Sequence, residues 1–221
     1  MNSPFTDSDP HKRAKVIAFG QPLDKAARVI ITIHGRGATA QSMKALCDEL
    51  ELNDTAFLAP QANDFAWYPY SFMAPVEQNQ PYLNSALSLL EDLEKRVNEQ
   101  GFSSEQICWM GFSQGACLIS EYSSRNAKRY GGIFVLSGGV IGETIDSSNY
   151  SGDFNKTPVF IGCSDVDAHI PVERVHETGT VLQNLGANVD KRIYPGMGHH
   201  VNEDEIVAMK EMLEAESRSD R

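Results

Sequence analysis

Short apolar runs alternate with longer amphipathic stretches along most of this chain. Seven runs are rich in β-branched and aromatic residues, and several are continuously apolar, as strands buried on both faces of a parallel sheet are. Their sequences are KVIAFG, RVIITIH, DTAFLAP, QICWMG, GGIFVLSG, PVFIGC and NVDKRIYP. The alternation predicts an α/β fold with a mostly parallel central sheet of about seven strands and helices on both faces.

Five helices are predicted between and after these strands. The clearest lies at about 80–100, where apolar residues follow the i, i+3, i+4, i+7 spacing of a buried stripe and Gly101 follows the end. The others are predicted near 40–50, 115–127, 172–186 and 202–216. Two connections, residues 60–75 and 137–158, are longer than ordinary loops, and long loops in compact domains often carry function.

Length and charge narrow the class of protein. The 221 residues are expected to form a single domain, residues 1–221, with flexible ends at about 1–14 and 217–221. The formal charge of −11 disfavours nucleic acid as a partner. No apolar run is long enough to span a bilayer, and the start lacks the apolar core of a secretory signal, so we expect a cytoplasmic protein without stable membrane association. The oligomeric state is not decided, and a homodimer stays open.

The four cysteines lie in apolar segments without CxxC spacing. This distribution indicates buried reduced thiols rather than a disulfide framework or a zinc site.

Residues 108–119, CWMGFSQGACLI, place Ser113 between two glycines. Gly and Ser are common in tight turns, so the pattern alone also fits an ordinary loop. Here a predicted strand ends at Gly111 and a predicted helix begins directly after the serine. That order is typical of a nucleophile elbow, in which the hydroxyl lies at a helix N-terminus and the backbone N–H of Gln114 faces an oxyanion.

A serine nucleophile needs a histidine as base and a carboxylate that orients the histidine. His199, in the glycine-rich turn YPGMGHH after the last strand, is the favoured base, and His200 is its close rival. The segment SDVDAHIP after the sixth strand offers Asp165 and Asp167, in the chain order Ser, Asp, His that α/β-hydrolases show. A metal site of Asp165, Asp167 and His169 is disfavoured, because their spacing is crowded and no further ligands complete it.

Three other histidines are not favoured as the base. His34 is expected to form hydrogen bonds beside a glycine turn, and His11 and His176 are expected in polar terminal or helical surroundings.

Two further segments are candidates for contacts with a substrate. IITIHGRGAT, residues 30–39, runs from a strand into a glycine turn, where the N–H of Arg36 is the candidate second oxyanion donor; a plain turn is the alternative. In the aromatic loop 60–75, Trp67, Tyr68 and Phe72 are expected to line an acyl pocket, with simple packing as the alternative.

Together these segments resemble the phospholipase/carboxylesterase family of small serine hydrolases, which includes the acyl-protein thioesterases. The resemblance rests on HGRGAT, APQA, WYPYSF, GFSQGA, SGG, DAHIP and GMGH, in family order from about residue 30 to 200. It implies an α/β-hydrolase fold without a cap domain, Ser113 and His199 as nucleophile and base, and an oxyanion hole formed by the amides of Arg36 and Gln114.

The resemblance also bears on the carboxylate and on the subgroup. Asp167 stands three residues before Ile170 and four before Pro171, the family's spacing, and is preferred; counting from the strand end selects Asp165 instead. Arg36 replaces an apolar residue common in the thioesterases, which makes bacterial-type carboxylesterases the closer match.

The expected function is cleavage of carboxylic esters, and of thioesters or lysophospholipids, through an acyl-enzyme without a cofactor. The expected partner is a small-molecule ester. One alternative is a non-catalytic ligand-binding protein with the same fold. Another is a dienelactone-type lactone hydrolase, for which a cysteine nucleophile is expected instead of Ser113.

Overall fold

The computed structural model describes residues 9–219, and seven strands in them form one sheet. The spatial order is β1-β3-β2-β4-β5-β6-β7, with β1 antiparallel to β3 and all other neighbours parallel. The strands are β1 (Val16–Gly20), β2 (Arg28–Ile33), β3 (Thr55–Pro60), β4 (Ile107–Phe112), β5 (Gly132–Leu136), β6 (Pro158–Ser164) and β7 (Asn188–Tyr194). The predicted α/β-hydrolase sheet is confirmed.

Five α-helices cover the two faces of this sheet. They are α1 (Met43–Glu49), α2 (Tyr82–Glu99), α3 (Gln114–Arg125), α4 (Val172–Asn184) and α5 (Glu203–Ser219). Alternate strand residues point to opposite faces. Ile31 and Trp109 therefore belong to a cluster with the apolar residues of α2, α3 and α4, whereas Ile30 and Met110 belong to a second cluster with α1 and α5.

The segment before β1 is more ordered than its polar sequence suggests. His11 is fully buried, its N–H donates to Ser85 Oγ at 2.8 Å, and its ring packs against Trp67 and Tyr82. The expectation of polar surroundings for His11 is wrong, because α2 and the aromatic loop cover a segment whose own sequence shows no apolar pattern.

At the other end of the chain, residues 217–219 continue α5. The remaining residues for which flexible ends were expected, 1–8 and 220–221, lie outside the described residues.

The two long connections fold against the sheet edge. Loop 137–157 is held by the buried Glu121, which accepts from Ile141 N–H and from Tyr150 Oη–H, both at 3.0 Å. Within residues 9–219 no inserted set of helices or strands forms a cap over the sheet. None of the helices in this range is long and apolar enough to cross a membrane.

Candidate active site

Ser113 lies in a strained turn between β4 and α3. Its φ of 55° and ψ of −120° are rare for a residue with a side chain. The two flanking glycines permit this turn: a Cβ on Gly115 would lie 2.1 Å from the carbonyl oxygen of Ile33, and one on Gly111 would lie 2.6 Å from the carbonyl of Gly115. The elbow therefore requires glycine on both sides, since backbone occupies the space that a side chain would need.

The hydroxyl of Ser113 is one end of a hydrogen-bonded chain. His199 Nε2 lies 2.9 Å from Ser113 Oγ, and His199 Nδ1 lies 2.7 Å from Asp167 Oδ2. The side chain of Asp167 is fully buried, and its Oδ1 accepts from the amides of His169 and Ile170 at 2.8 and 3.0 Å. The structure thus brings together residues that are up to 86 positions apart in sequence.

Burial and hydrogen bonding shift the pKa of the Asp167 carboxyl group in opposite directions. Burial alone raises its pKa, but the hydrogen bond with His199 and those from the two amides outweigh burial, so the pKa lies below its usual value. Asp167 is therefore ionised at neutral pH and accepts a hydrogen bond from His199 Nδ1–H. With the proton of the ring on Nδ1, Nε2 is the atom that accepts from the hydroxyl of Ser113.

Asp165 has a different partner. Its Oδ1 accepts from the backbone N–H of Gly196 at 2.8 Å, and the neighbouring Ser164 Oγ accepts from Gly198 N–H at 2.9 Å. These bonds attach the turn that carries His199 to the end of β6. His200, the rival base, is exposed to solvent.

The backbone N–H groups of Arg36 and Gln114 face no acceptor within the described residues. Gly35 packs so closely on the elbow that a Cβ there would lie 3.2 Å from the Cβ of Ser113. The turn after β2 and the start of α3 therefore meet beside the serine hydroxyl. Two unpaired donors in this position are suited to a developing oxyanion.

The two buried histidines near this turn are both neutral, as their partners require. His34 Nε2 accepts from Ala62 N–H at 3.1 Å, so its Nδ1 carries the proton and donates to the carbonyl of Gly35 at 2.7 Å. His11 Nδ1 accepts from Asn63 N–H at 3.1 Å, so its Nε2 donates to the carbonyl of Trp67 at 3.0 Å. Burial lowers the pKa of both rings.

A pocket of about 640 Å³ opens at the hydroxyl of Ser113. Its apolar wall is formed by Tyr68, Phe72, Cys117 and Ile170. Tyr68 and Phe72 thus line a pocket beside Ser113, the position expected for them from the sequence. The other lining residues are Gly35, Arg36, Ala38, Pro69, Tyr70, Ser71, Phe112, Ser113, Gln114, His169 and His199.

Trp67 does not line the pocket, so the expectation of a substrate contact for this residue is wrong. Its side chain is fully buried, and its indole N–H donates to the carbonyl of His34 at 2.8 Å. The ring lies against the rings of His11 and His34, at centroid distances of 5.4 and 5.0 Å. Trp67 therefore supports the pocket wall from behind, while the next residue, Tyr68, faces the pocket.

Sequence reasoning missed the contacts that three residues make in this site: Gln114, His169 and Cys117. The side-chain amide of Gln114 accepts from Trp67 N–H at 2.9 Å and donates to the carbonyl of Tyr68 at 2.8 Å. The ring of His169 packs edge-on against His199, with centroids 4.8 Å apart. Cys117 lies four residues after Ser113 in α3, and this helical spacing was the one available signal that it faces the same pocket.

All four cysteines are free and buried, as predicted. For Cys117, burial raises the pKa to about 12, so its thiol stays protonated at neutral pH.

Comparison with known proteins identifies the family. The sequence profile of the phospholipase/carboxylesterase family matches residues 14–217, which include the whole sheet and the Ser113, Asp167 and His199 chain. The chain belongs to this family. It is therefore a hydrolase of the carboxylesterase type.

Individual relatives agree with this assignment. A phospholipase/carboxylesterase from Dyadobacter fermentans has a crystal structure with a TM-score of 0.89 and 46% identity, covering 90% of this chain and 96% of that protein. Acyl-protein thioesterase 1 of Saccharomyces cerevisiae is 28% identical, over 87% of this chain and 92% of its own length. The crystal structure of SOBER1 from Arabidopsis thaliana, 20% identical with a TM-score of 0.73, covers 86% of this chain and 99% of its own and shares the fold.

Proposed function

We propose that this hydrolase cleaves carboxylic esters and thioesters through a covalent acyl-enzyme on Ser113. The observation that carries the proposal is the chain of hydrogen bonds from Asp167 through His199 to the serine hydroxyl, at 2.7 and 2.9 Å. Those distances lie within the range for proton transfer between a nucleophile and its base. The names of the relatives, carboxylesterase and acyl-protein thioesterase, support ester and thioester substrates.

In the first half-reaction, Ser113 Oγ attacks the carbonyl carbon while its proton passes to His199 Nε2. The buried carboxylate of Asp167 holds the required tautomer and stabilises the imidazolium that forms. The amides of Arg36 and Gln114 donate to the oxyanion. When the tetrahedral intermediate collapses, the bond to the leaving group breaks, and His199 returns the proton to the departing alcohol or thiol.

In the second half-reaction, water attacks the acyl-enzyme. His199 accepts a proton from the water, and a second tetrahedral intermediate forms in the same oxyanion hole. Its collapse breaks the bond to Ser113 Oγ, which regains its proton from His199, and the carboxylic acid leaves. The apolar wall of Tyr68, Phe72, Cys117 and Ile170 provides a surface for the acyl chain.

The choice of serine over cysteine follows from protonation. Cys117 is the cysteine that lines the pocket, and its pKa of about 12 leaves very little thiolate at neutral pH. This disfavours a cysteine-dependent lactone hydrolase. A purely ligand-binding role would not need the strained backbone at Ser113, which costs of the order of 1–3 kcal/mol.

The test combines covalent labelling with turnover. A fluorophosphonate probe should label the wild-type protein, and Ser113→Ala should abolish labelling and lower kcat for 4-nitrophenyl butyrate by about 10³-fold or more. The matched control is Ser71→Ala, since Ser71 lines the same pocket without contacting His199, and it should still be labelled. Melting temperatures verify that each variant is folded. Turnover by Ser113→Ala close to that of the wild type would exclude the acyl-enzyme.

A further inference from the structure

The pocket carries charge of one sign only. Although the formal charge of the chain is −11, no Asp or Glu is among the described residues that line the pocket. Arg36 is the permanently charged side chain in this lining, and His169 and His199 are its titratable neighbours. A neutral ester has no charged group for an exposed guanidinium to bind, so the charge of this residue needs its own explanation.

The guanidinium of Arg36 is held in a fixed place. Nη1 donates to the carbonyl of Pro69 at 2.8 Å, Nη2 donates to the carbonyl of Tyr70 at 2.6 Å, and Cζ lies 5.9 Å from the centroid of the Tyr68 ring. A guanidinium has five N–H donors, so three remain for another acceptor. Because the side chain is already ordered, binding a ligand costs it little further conformational entropy.

The charge of Arg36 is also not neutralised. Within residues 9–219, no carboxylate forms an ion pair with it, and its two partners are neutral carbonyl groups. Bracing a loop through two carbonyls does not in itself require a charge. A fixed guanidinium with spare donors is, in contrast, a geometry suited to a carboxylate or phosphate.

We propose that Arg36 recognises an anionic group on the substrate, so that the preferred substrates are esters or thioesters that also carry a carboxylate or phosphate. This inference rests on the proposed function, because it assigns the substrate class of the same site. Arg36 then has two separate roles: its backbone N–H faces the oxyanion, and its side chain selects the substrate. The side chain can be replaced without removing the backbone donor, so the two roles can be tested apart.

The experiment uses two pairs of substrates that differ only in charge. In one pair the group is in the acyl chain: the mono-4-nitrophenyl ester of adipic acid and its carboxamide analogue. In the other pair it is in the leaving group: 4-acetoxybenzoate and 4-acetoxybenzamide. The wild-type protein should show a higher kcat/KM for the anionic member of at least one pair, and the pair that shows the preference tells which half of the substrate carries the anion.

Arg36→Gln should lower that preference about tenfold, mainly through KM, since a charge-assisted hydrogen bond is lost. Arg36→Lys keeps the charge and should retain part of the preference. About 0.5 M NaCl should weaken the wild-type preference, since Arg36 is exposed and salt screens exposed charges.

Two control variants separate charge recognition from other effects. Asn79→Ala loosens the same loop without changing charge, because Asn79 accepts from Tyr70 N–H and donates to the carbonyl of Ser71, both at 2.9 Å. Lys44→Gln removes an equal charge on α1, where Lys44 pairs with Asp48. Lys44→Gln should keep the wild-type ratio between the members of a pair, and Asn79→Ala, which retains the guanidinium, should lower that ratio by less than Arg36→Gln does.

Three results would overturn the inference: no anionic preference in either pair for the wild type, equal losses for both members of a pair in Arg36→Gln, or the same change of ratio in Asn79→Ala. In each of these cases continued fluorophosphonate labelling of Ser113 would leave the proposed function standing. Absence of both labelling and neutral-ester turnover in the wild type would instead refute the proposed function.

Discussion

The sharpest test of the proposed mechanism is the pair of substitutions Asp167→Asn and Asp165→Asn. Both remove one charge from the same loop and keep its volume. Asp167 Oδ1 accepts from two amides, at 2.8 and 3.0 Å, and an asparagine carbonyl oxygen can keep these bonds. The amide nitrogen of the introduced asparagine would then occupy the place of Oδ2, which lies 2.7 Å from His199 Nδ1.

The size of the effect follows from which atom holds the proton. A side-chain NH₂ only donates, so it favours the tautomer of His199 with a bare Nδ1 and a proton on Nε2. That proton points at Ser113 Oγ, 2.9 Å away, and prevents the imidazole from accepting the serine proton. Asp167→Asn also removes the negative charge that stabilises the imidazolium of His199. We expect kcat to fall by up to about 10⁴-fold, or about 5.5 kcal/mol at ~1.4 kcal/mol per factor of ten.

Asp165→Asn keeps an oxygen that can accept from Gly196 N–H, so its effect is confined to the stability of the turn and we expect a loss nearer tenfold. The assay is kcat for a neutral 4-nitrophenyl ester, with the burst of 4-nitrophenol separating acylation from deacylation and melting temperatures showing that both variants fold. A larger defect in Asp165→Asn, or a loss under tenfold in Asp167→Asn, would refute the tautomer reasoning.

Two further predictions concern stability. Burial raises the pKa of Glu205 to about 7, although a hydrogen bond from Asn202 N–H lowers it in part. The carboxyl group has its ordinary pKa of 4.5 in the unfolded chain. The folded wild type therefore loses stability as the pH rises from 4.5 to 7, because the unfolded chain releases this proton first. Glu205→Gln should remove up to about 3 kcal/mol of that loss, measured as the free energy of urea unfolding at pH 5 and at pH 8. If the difference in stability between this variant and the wild type were the same at both pH values, the raised pKa of Glu205 would be wrong. Gly115→Ala should lower the free energy of unfolding by about 1–3 kcal/mol and reduce labelling of Ser113. Gly179→Ala is the control and should cost less stability, because a Cβ there meets mainly the flexible side chain of Lys191. Equal losses of stability for the two variants in thermal unfolding would argue against the close approach at Gly115.

Most of the fold was predictable because a parallel sheet covered on both faces requires continuously apolar strands. The seven predicted runs, several of them continuously apolar, all form strands, and all five amphipathic stretches form helices. The meeting of Ser113, Asp167 and His199 was predictable for a related reason. Each follows a parallel strand, and the carboxyl ends of parallel strands lie at one edge of a sheet. The choice of Asp167 over Asp165 rested on its spacing to Pro171 and not on any periodicity.

Irregular segments were less predictable, because they have no hydrophobic periodicity that indicates which side chains point towards the core. In the loop 60–75 the adjacent aromatics Trp67 and Tyr68 have similar sequence signals, yet one is buried behind the wall and the other lines it. The burial of His11 depends on partners more than 50 residues away in sequence. The bonds of the Arg36 guanidinium likewise depend on where two loop carbonyls happen to point.

The polar contacts of Trp67 explain how the pocket wall keeps a fixed position relative to Ser113. Its N–H donates to Gln114, its carbonyl accepts from His11, and its indole N–H donates to His34, so each of its three polar groups is bonded. Gln114 directly follows Ser113, and its side chain also binds the carbonyl of Tyr68. The pocket wall and the elbow are therefore joined by buried hydrogen bonds, which are costly to break singly. Since His11 and His34 must both be neutral to accept their bonds, the same network that orders the wall depends on the burial that lowers their pKa.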